Sequence, residues 1–184
     1  MFGTFNPIRS LPVTIVTAEF VVQGTIQTRL QRLTDVVNEP DMIHLIVYDA
    51  TFVEAGSRRA VASASVSQIQ LPDVLFMHTT GPTESGAEAR TAKQAIKATL
   101  LAPPYTIEGQ IHLPNESELR QALDAFSDRF VPVTAARYWA FNAAEPPNYV
   151  DVLVVNRARA HVAIAADVEW RGEAPDLGGD TNPW

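Results

Sequence analysis

The chain is built on an internal repeat. Phe20-Val21-Val22-Gln23-Gly24-Thr25-Ile26 returns as Tyr105-Thr106-Ile107-Glu108-Gly109-Gln110-Ile111. In both segments apolar side chains alternate, the period of a half-buried strand. Leu33-Thr34-Asp35-Val36-Val37-Asn38 then matches Leu119-Arg120-Gln121-Ala122-Leu123-Asp124, after a connection one residue longer in the second copy. Next, the segment from Leu45 to Phe52 matches that from Val131 to Tyr138. Identities are few: Gly24/Gly109, Ile26/Ile111, Leu33/Leu119, Val47/Val133 and Ala50/Ala136. What recurs is apolar character in the same order, which predicts a small unit used twice, the alternative being that any two strand–helix–strand stretches align this way. Glycine inside a strand weakens it unless it serves a bulge, a bend or a close backbone approach. Its recurrence predicts a bent strand, as in a sheet curling toward a barrel.

The elements expected around the repeat are mostly strands. Val13 to Ile26 reads as one long strand bent near Gly24, and residues 29–38 as a helix on the face Leu30, Leu33, Val36, Val37, stopped by Pro40. Met42 to Glu54 is β-rich, Ala55-Gly56-Ser57 a turn, and Arg58 to Leu71 an alternating strand. Pro72-Asp73 turns the chain into a short strand, Val74 to His78. Ala87 to Leu101 is rich in helix formers and carries a stripe of Ala92, Ile96 and Leu100, which predicts a helix before Pro103-Pro104. In the second copy, Asn115 with Glu118 resembles a capping box before the helical face Leu119, Ala122, Leu123, Phe126. Strands follow over Phe130 to Phe141, Tyr149 to Val155 (buried) and Ala160 to Glu169, with a loop at 142–148 and a tight turn at Asn156-Arg157. The predicted fold is α+β and mainly β: two tandem β-α-β-β-β units, each a small barrel or curled sheet with a short helix. The boundaries are 1–78 for the first unit, 79–103 for a connecting loop and helix, 104–170 for the second unit, and 171–184 for a flexible acidic tail. One continuous sandwich shared by both halves is the alternative.

Composition narrows the function classes. With 46% apolar and 19% charged residues the chain has a globular balance. No run approaches the ~20 apolar residues of a membrane helix. The opening MFGTFNPIRSLP lacks the basic-then-apolar order of a secretory signal, so a cytoplasmic address is expected. There is no cysteine, hence no disulfide, thiolate nucleophile or cysteine metal site. The net charge of −7 is uneven: −2 over residues 1–82, +1 over 83–103 and −6 over 104–184. No basic run offsets it, which disfavours binding of phosphate backbones.

The residues offer little local chemistry. His44, His78, His112 and His161 stand far apart, in none of the spacings that hold a metal. Ser63, Ser65 and Ser67 share one strand face without a nucleophile elbow. No glycine-rich phosphate loop is present, Glu116 and Glu118 suit a helix start, and Asp167 and Glu169 suit a solvated strand. No catalytic, cofactor-binding or metal residue is therefore nominated, and no cofactor is expected. Tyr138, Trp139 and Phe141 are the exception, with Arg137 beside them. Alternation puts Trp139 and Phe141 on one side and Tyr138 on the other. The first copy has Phe52 and Val53 in place of Tyr138 and Trp139, so this surface belongs to the second copy. Trp139 and Phe141 are nominated as protein-contact residues, although a core placement of Trp139 is narrowly the expected one.

The repeated pattern, xxGxI, then LxxVVN or LxxALD, then xVxxAxx[F/Y], resembles a group of bacterial proteins of unknown function that carry one or two such units. The likeness covers most of residues 13–71 and 104–166 and transfers no site residue. A looser likeness is to Sm-like small barrels; there the helix precedes the first strand, whereas here a strand precedes each helix. The expected function is a non-enzymatic binding or assembly module, with a protein partner or self-association. A nucleic-acid-associated small barrel is one alternative. An enzyme or small-ligand binder with a site between the units, drawing on His112 or His161, is the other.

Overall fold

The computed structural model describes residues 7–80, 93–114, 123, 127–141 and 146–164. Ten strands are described: β1 Arg9–Thr17, β2 Phe20–Thr28, β3 His44–Glu54, β4 Ala60–Gln70, β5 Val74–Thr79, β6 Lys93–Ala102, β7 Tyr105–Pro114, β8 Phe130–Ala140, β9 Asn148–Asn156 and β10 His161–Ala163. One short helix, α1 Leu33–Val37, lies between β2 and β3, and 3-10 turns at Leu71–Asp73 and Arg157–Arg159 precede β5 and β10. The fold is mainly β, with every strand in one antiparallel sheet of order β10-β6-β7-β8-β9-β5-β1-β2-β3-β4. Among the described residues the sheet does not close on itself, and β4 and β10 are its two edges.

Two hydrophobic clusters fill it. The first gathers Val13, Ile15, Val22, Ile26, Leu45 and Val47 with the helix residues Leu33, Val36 and Val37. The second gathers Leu100, Ile107, Ile111, Leu113, Val133 and Ala136. The central pair β5 and β9 serves both: Met77 and Val154 enter the first cluster, whereas Phe76, Leu153 and Val155 enter the second. Successive strand side chains point to opposite faces, so this pair is a wall with a core on either side. Polar clamps brace the wall. Asn38 donates to the Phe130 carbonyl (2.8 Å) and accepts from the Phe130 N–H (2.9 Å). Asn156, 1% exposed, donates to the Leu71 and Val74 carbonyls and accepts from the Ala158 N–H.

Both repeat glycines sit where backbone meets backbone. A Cβ on Gly24 would lie 2.6 Å from Val47 Cγ1 and 2.7 Å from the Tyr48 carbonyl oxygen. A Cβ on Gly109 would lie 2.6 Å from Val133 Cγ1 and 2.8 Å from the Thr134 carbonyl oxygen. Each glycine faces a register shift in the neighbouring strand. The extra residue there, Asp49 or Ala135, has a positive φ of 50° or 47°. A bulge of this kind bends a strand and steepens its twist, and glycine is what lets the neighbour pass so close.

Several expectations are corrected. Of the small barrels or curled sheets expected, closed barrels are not found: the described strands form one open ten-stranded sheet. The single strand Val13–Ile26 is a hairpin turning at Ala18-Glu19, where Thr17 Oγ1 accepts from the Phe20 N–H. The inward residues change parity across the turn, from Val13 and Ile15 to Val22 and Ile26, but Val16 and Val21 make the opposite face apolar as well and mask the break. The helix at 29–38 is confined to Leu33–Val37. The helix expected over 87–101 is a strand from Lys93 onward, paired with β7 over its whole length, so a boundary at 104 would cut through a hairpin. Ile96 and Leu100 fit either reading, because a spacing of four is also twice the strand period; strand pairing overrides helix propensity here. In β9 burial is confined to the C-terminal half, Leu153 to Asn156. Asn156-Arg157 leads into a 3-10 turn instead of a two-residue hairpin, and the described last strand is only His161–Ala163. Residues 81–92, the capping pair Asn115 and Glu118, the helical positions Leu119, Ala122 and Phe126, the carboxylates Asp167 and Glu169, and the tail 171–184 lie outside the described residues.

Candidate functional site

Three neighbouring strands place Glu108, Arg137 and Tyr149 directly opposite one another in one cross-strand row. Glu108 of β7 opposes Arg137 of β8, and Arg137 opposes Tyr149 of β9. Arg137 Nε donates to the Glu108 carboxylate, and the guanidinium also bonds to Tyr149. Trp139, two residues along the same face, has its ring centroid 5.8 Å from Arg137 Cζ. Phe141 follows at the strand end, its N–H donating to the Pro104 carbonyl at 2.8 Å.

Burial grades across this row. Glu108 is 7% exposed and Tyr149 72% exposed. Burial raises the Glu108 carboxyl above the ordinary carboxylate value, and the Arg137 hydrogen bond and charge pull it back only in part. Burial works against the Arg137 charge, but its bonds to Glu108 and Tyr149 outweigh that and raise its pKa. The buried carboxylate thus acts as an anchor that holds the Arg137 guanidinium beside the Trp139 ring. The corresponding row of the first half is Gln23, Thr51 and Ser63, which has neither charge nor ring.

Of the nominated residues, Phe141 is exposed at 49%, and Trp139 is half-buried, so the core placement expected for Trp139 is not what is found. Core packing falls to Tyr138 on the opposite face, against Phe76 and Tyr105. Glu108 and Tyr149 were missed as site residues. The signal for Glu108 was in the repeat, where it replaces Gln23. Tyr149 had none, because only strand register brings it to Arg137.

A shallow cleft of about 530 Å³ adjoins this row where β5 meets β9, lined by His78, Thr79, Thr80, Ala135, Tyr149 and Asp151. His78 Nδ1 donates to the Thr79 carbonyl at 3.1 Å, which leaves Nε2 to accept from the Tyr138 hydroxyl at 3.4 Å. Burial lowers the His78 pKa, against a smaller opposing effect of the Thr79 bond, so the imidazole is neutral near pH 7. The histidines expected at a site between the halves stand elsewhere: His112 bonds to Thr134 Oγ1 at 2.8 Å, and His161 is exposed on β10. His44 is buried at Nδ1 without a hydrogen-bond partner. No group of three or more metal-ligating side chains forms among the described residues. Nor is any helix among them long and apolar enough to cross a membrane. No protein-family model matches the chain, and neither curated proteins nor solved structures give a match.

Proposed function

We propose that this chain is a non-enzymatic binding module made of two related five-stranded units, and that Arg137, Trp139, Phe141 and Tyr149 hold a protein partner. The first unit is β1 to β5 with α1, and the second is β6 to β10. Support for the duplication comes from the matched glycine approaches and from bulges at the same place. The function rests on one observation: among the described residues the second unit, unlike the first, carries an arginine set beside a tryptophan ring, bonded to an exposed tyrosine and fixed by a buried carboxylate. Arginine, tryptophan and tyrosine dominate protein–protein contact energies, and an immobilised side chain loses less entropy on binding. The net negative charge favours a protein with a basic or apolar face over a nucleic acid.

The test is affinity co-purification from the source cells with the parent chain, Tyr149→Ala and Trp139→Ala, scored by mass spectrometry. A partner that is retained by the parent and lost from both variants, with their thermal midpoints kept, is the expected result. Identical partner lists for all three chains would remove the proposal. A parent preparation dominated by RNA would replace it with the nucleic-acid reading.

A further inference from the structure

We infer that copies of this chain assemble head to tail, the free edge of β10 in one copy pairing with the free edge of β4 in the next. The inference rests on the two-unit reading and concerns a different surface from the arginine–aromatic face.

The joint already inside the chain is the template. There β5, the last strand of the first unit, pairs with β9, the fourth strand of the second, at Phe76 opposite Val155 and Met77 opposite Val154. The same two strands of the opposite units, β10 and β4, are the ones left over. Each has a single strand neighbour among the described residues. The chain therefore carries one satisfied joint and the two halves of a second.

Register fixes how that second joint would be made. Val13 opposes Gly24 and Ala98 opposes Gly109, so β1 and β6 correspond. Ile15 then opposes Met77 as Leu100 opposes Val162, which makes Val162 the counterpart of Met77. Val47 opposes Ser67 as Val133 opposes Leu153, which makes Gln68 the counterpart of Val154 and Ile69 that of Val155. The in-chain pairs translate into Val162 opposite Gln68 and His161 opposite Ile69 of the next copy.

β10 is short, three described residues, and β4 is the long unprotected edge. β4 runs for eleven residues, Ala60–Gln70, without a charge or a proline. Charges, prolines and short length are the usual means of blocking an edge, and none is used there. Gln68 is exposed, and so is all of β10, including Val162 at 38%. Side chains at the new joint are more polar than at the old: Ser67, Gln68 and Ile69 stand where Leu153, Val154 and Val155 stand in β9. The inter-copy joint is consequently weaker than the in-chain one and forms as concentration rises. A head-to-tail contact closes into a ring if its rotation closes and otherwise runs on as a filament.

The absence of cysteine makes the register directly testable. Directly opposed residues in an antiparallel pair have Cβ atoms ~4.5–5.5 Å apart, near disulfide range, whereas a residue one position along the strand points to the opposite face. The double variant Gln68→Cys with Val162→Cys, both exposed, is oxidised at rising concentration and run on a non-reducing gel. The expected product is a set of reducible species in steps of the 20.1 kDa chain mass, lost when Val162→Cys is replaced by Ala163→Cys. A control places cysteines at Met77 and Val154, the same pair inside one chain, where the crosslink leaves the mass unchanged. If the control closes and the edge pair gives no multimer, or closes within one chain, the assembly is refuted and the two-unit reading stands. If the control fails in a chain that folds, the template itself is wrong. Light scattering of the unmodified chain supplies the second measurement: mass rising with concentration supports assembly, and a monomer throughout overturns it.

Discussion

Alanine at Gly24 or at Gly109 tests whether the two halves are bent by the same device. At each site the new Cβ would meet a valine Cγ1 at 2.6 Å and a carbonyl oxygen at 2.7 or 2.8 Å. Carbon atoms rest at ~3.5–4.0 Å, so each methyl overlaps its neighbour by about 1 Å. The valine could turn aside, but the carbonyl belongs to the bulged backbone of β3 or β8 and cannot move without shifting the register. Forcing an extra methyl into packed surroundings costs ~1–3 kcal/mol. The lower backbone entropy of unfolded alanine offsets ~0.5–1 kcal/mol of that. Each substitution should therefore destabilise by ~1–2 kcal/mol, and because the contacts match, the two losses should agree within the error of the measurement. In a chain of this size a loss of 1 kcal/mol lowers the melting midpoint by ~2–4 °C. Urea unfolding followed by tryptophan fluorescence, with thermal melts by circular dichroism, reads both quantities. A variant as stable as the parent would show that the close approach is not required there. A large loss at one glycine and none at the other would break the equivalence of the halves.

Two further outcomes follow from buried polar groups. Asn156→Ala removes three hydrogen bonds, although the Leu71 carbonyl keeps its bond from the Val74 N–H and Ala158 is exposed, so a loss of ~1–2 kcal/mol in urea unfolding is expected. His78 has a pKa lowered from 6.5, so it contributes stability above that value and loses it as pH falls through its lowered pKa. Melting midpoints should drop on acidification below about pH 6.5, and His78→Gln should flatten that slope; an unchanged slope would assign it to other groups.

The edge inference bears on how the module would work. Head-to-tail copies would repeat the Arg137–Trp139–Tyr149 face once per chain, and weak contacts so repeated gain avidity against a repetitive partner. Loss of the arginine–aromatic face should leave assembly intact, and Gln68 variants should leave single-site partner binding intact. The two surfaces are on different strands, so each can be removed alone.

Much of the local plan was legible in the residues. Alternation marked β4 and β7, bulky, branched or aromatic residues marked β3 and β8, the pattern match set Gly24 beside Gly109, and Tyr138 and Trp139 were separated onto opposite faces by strand period alone. Where the reading failed, one signal had two meanings. Ile96 and Leu100 satisfy a helix and a strand alike, and the parity change at the Ala18-Glu19 hairpin is masked because both faces there are apolar, with Val16 and Val21 on one and Ile15 and Val22 on the other. Period-2 side chains cannot say which strand lies beside which. Only the sheet order shows that β5 pairs with both β1 and β9, that Phe76 and Met77 face two different cores, and that β4 and β10 have one strand neighbour each among the described residues. The Glu108–Arg137–Tyr149 row is likewise a product of register, since residues far apart in the chain meet only when three strands are laid side by side. Local preference is written residue by residue, whereas pairing is settled by the burial that the whole sheet achieves.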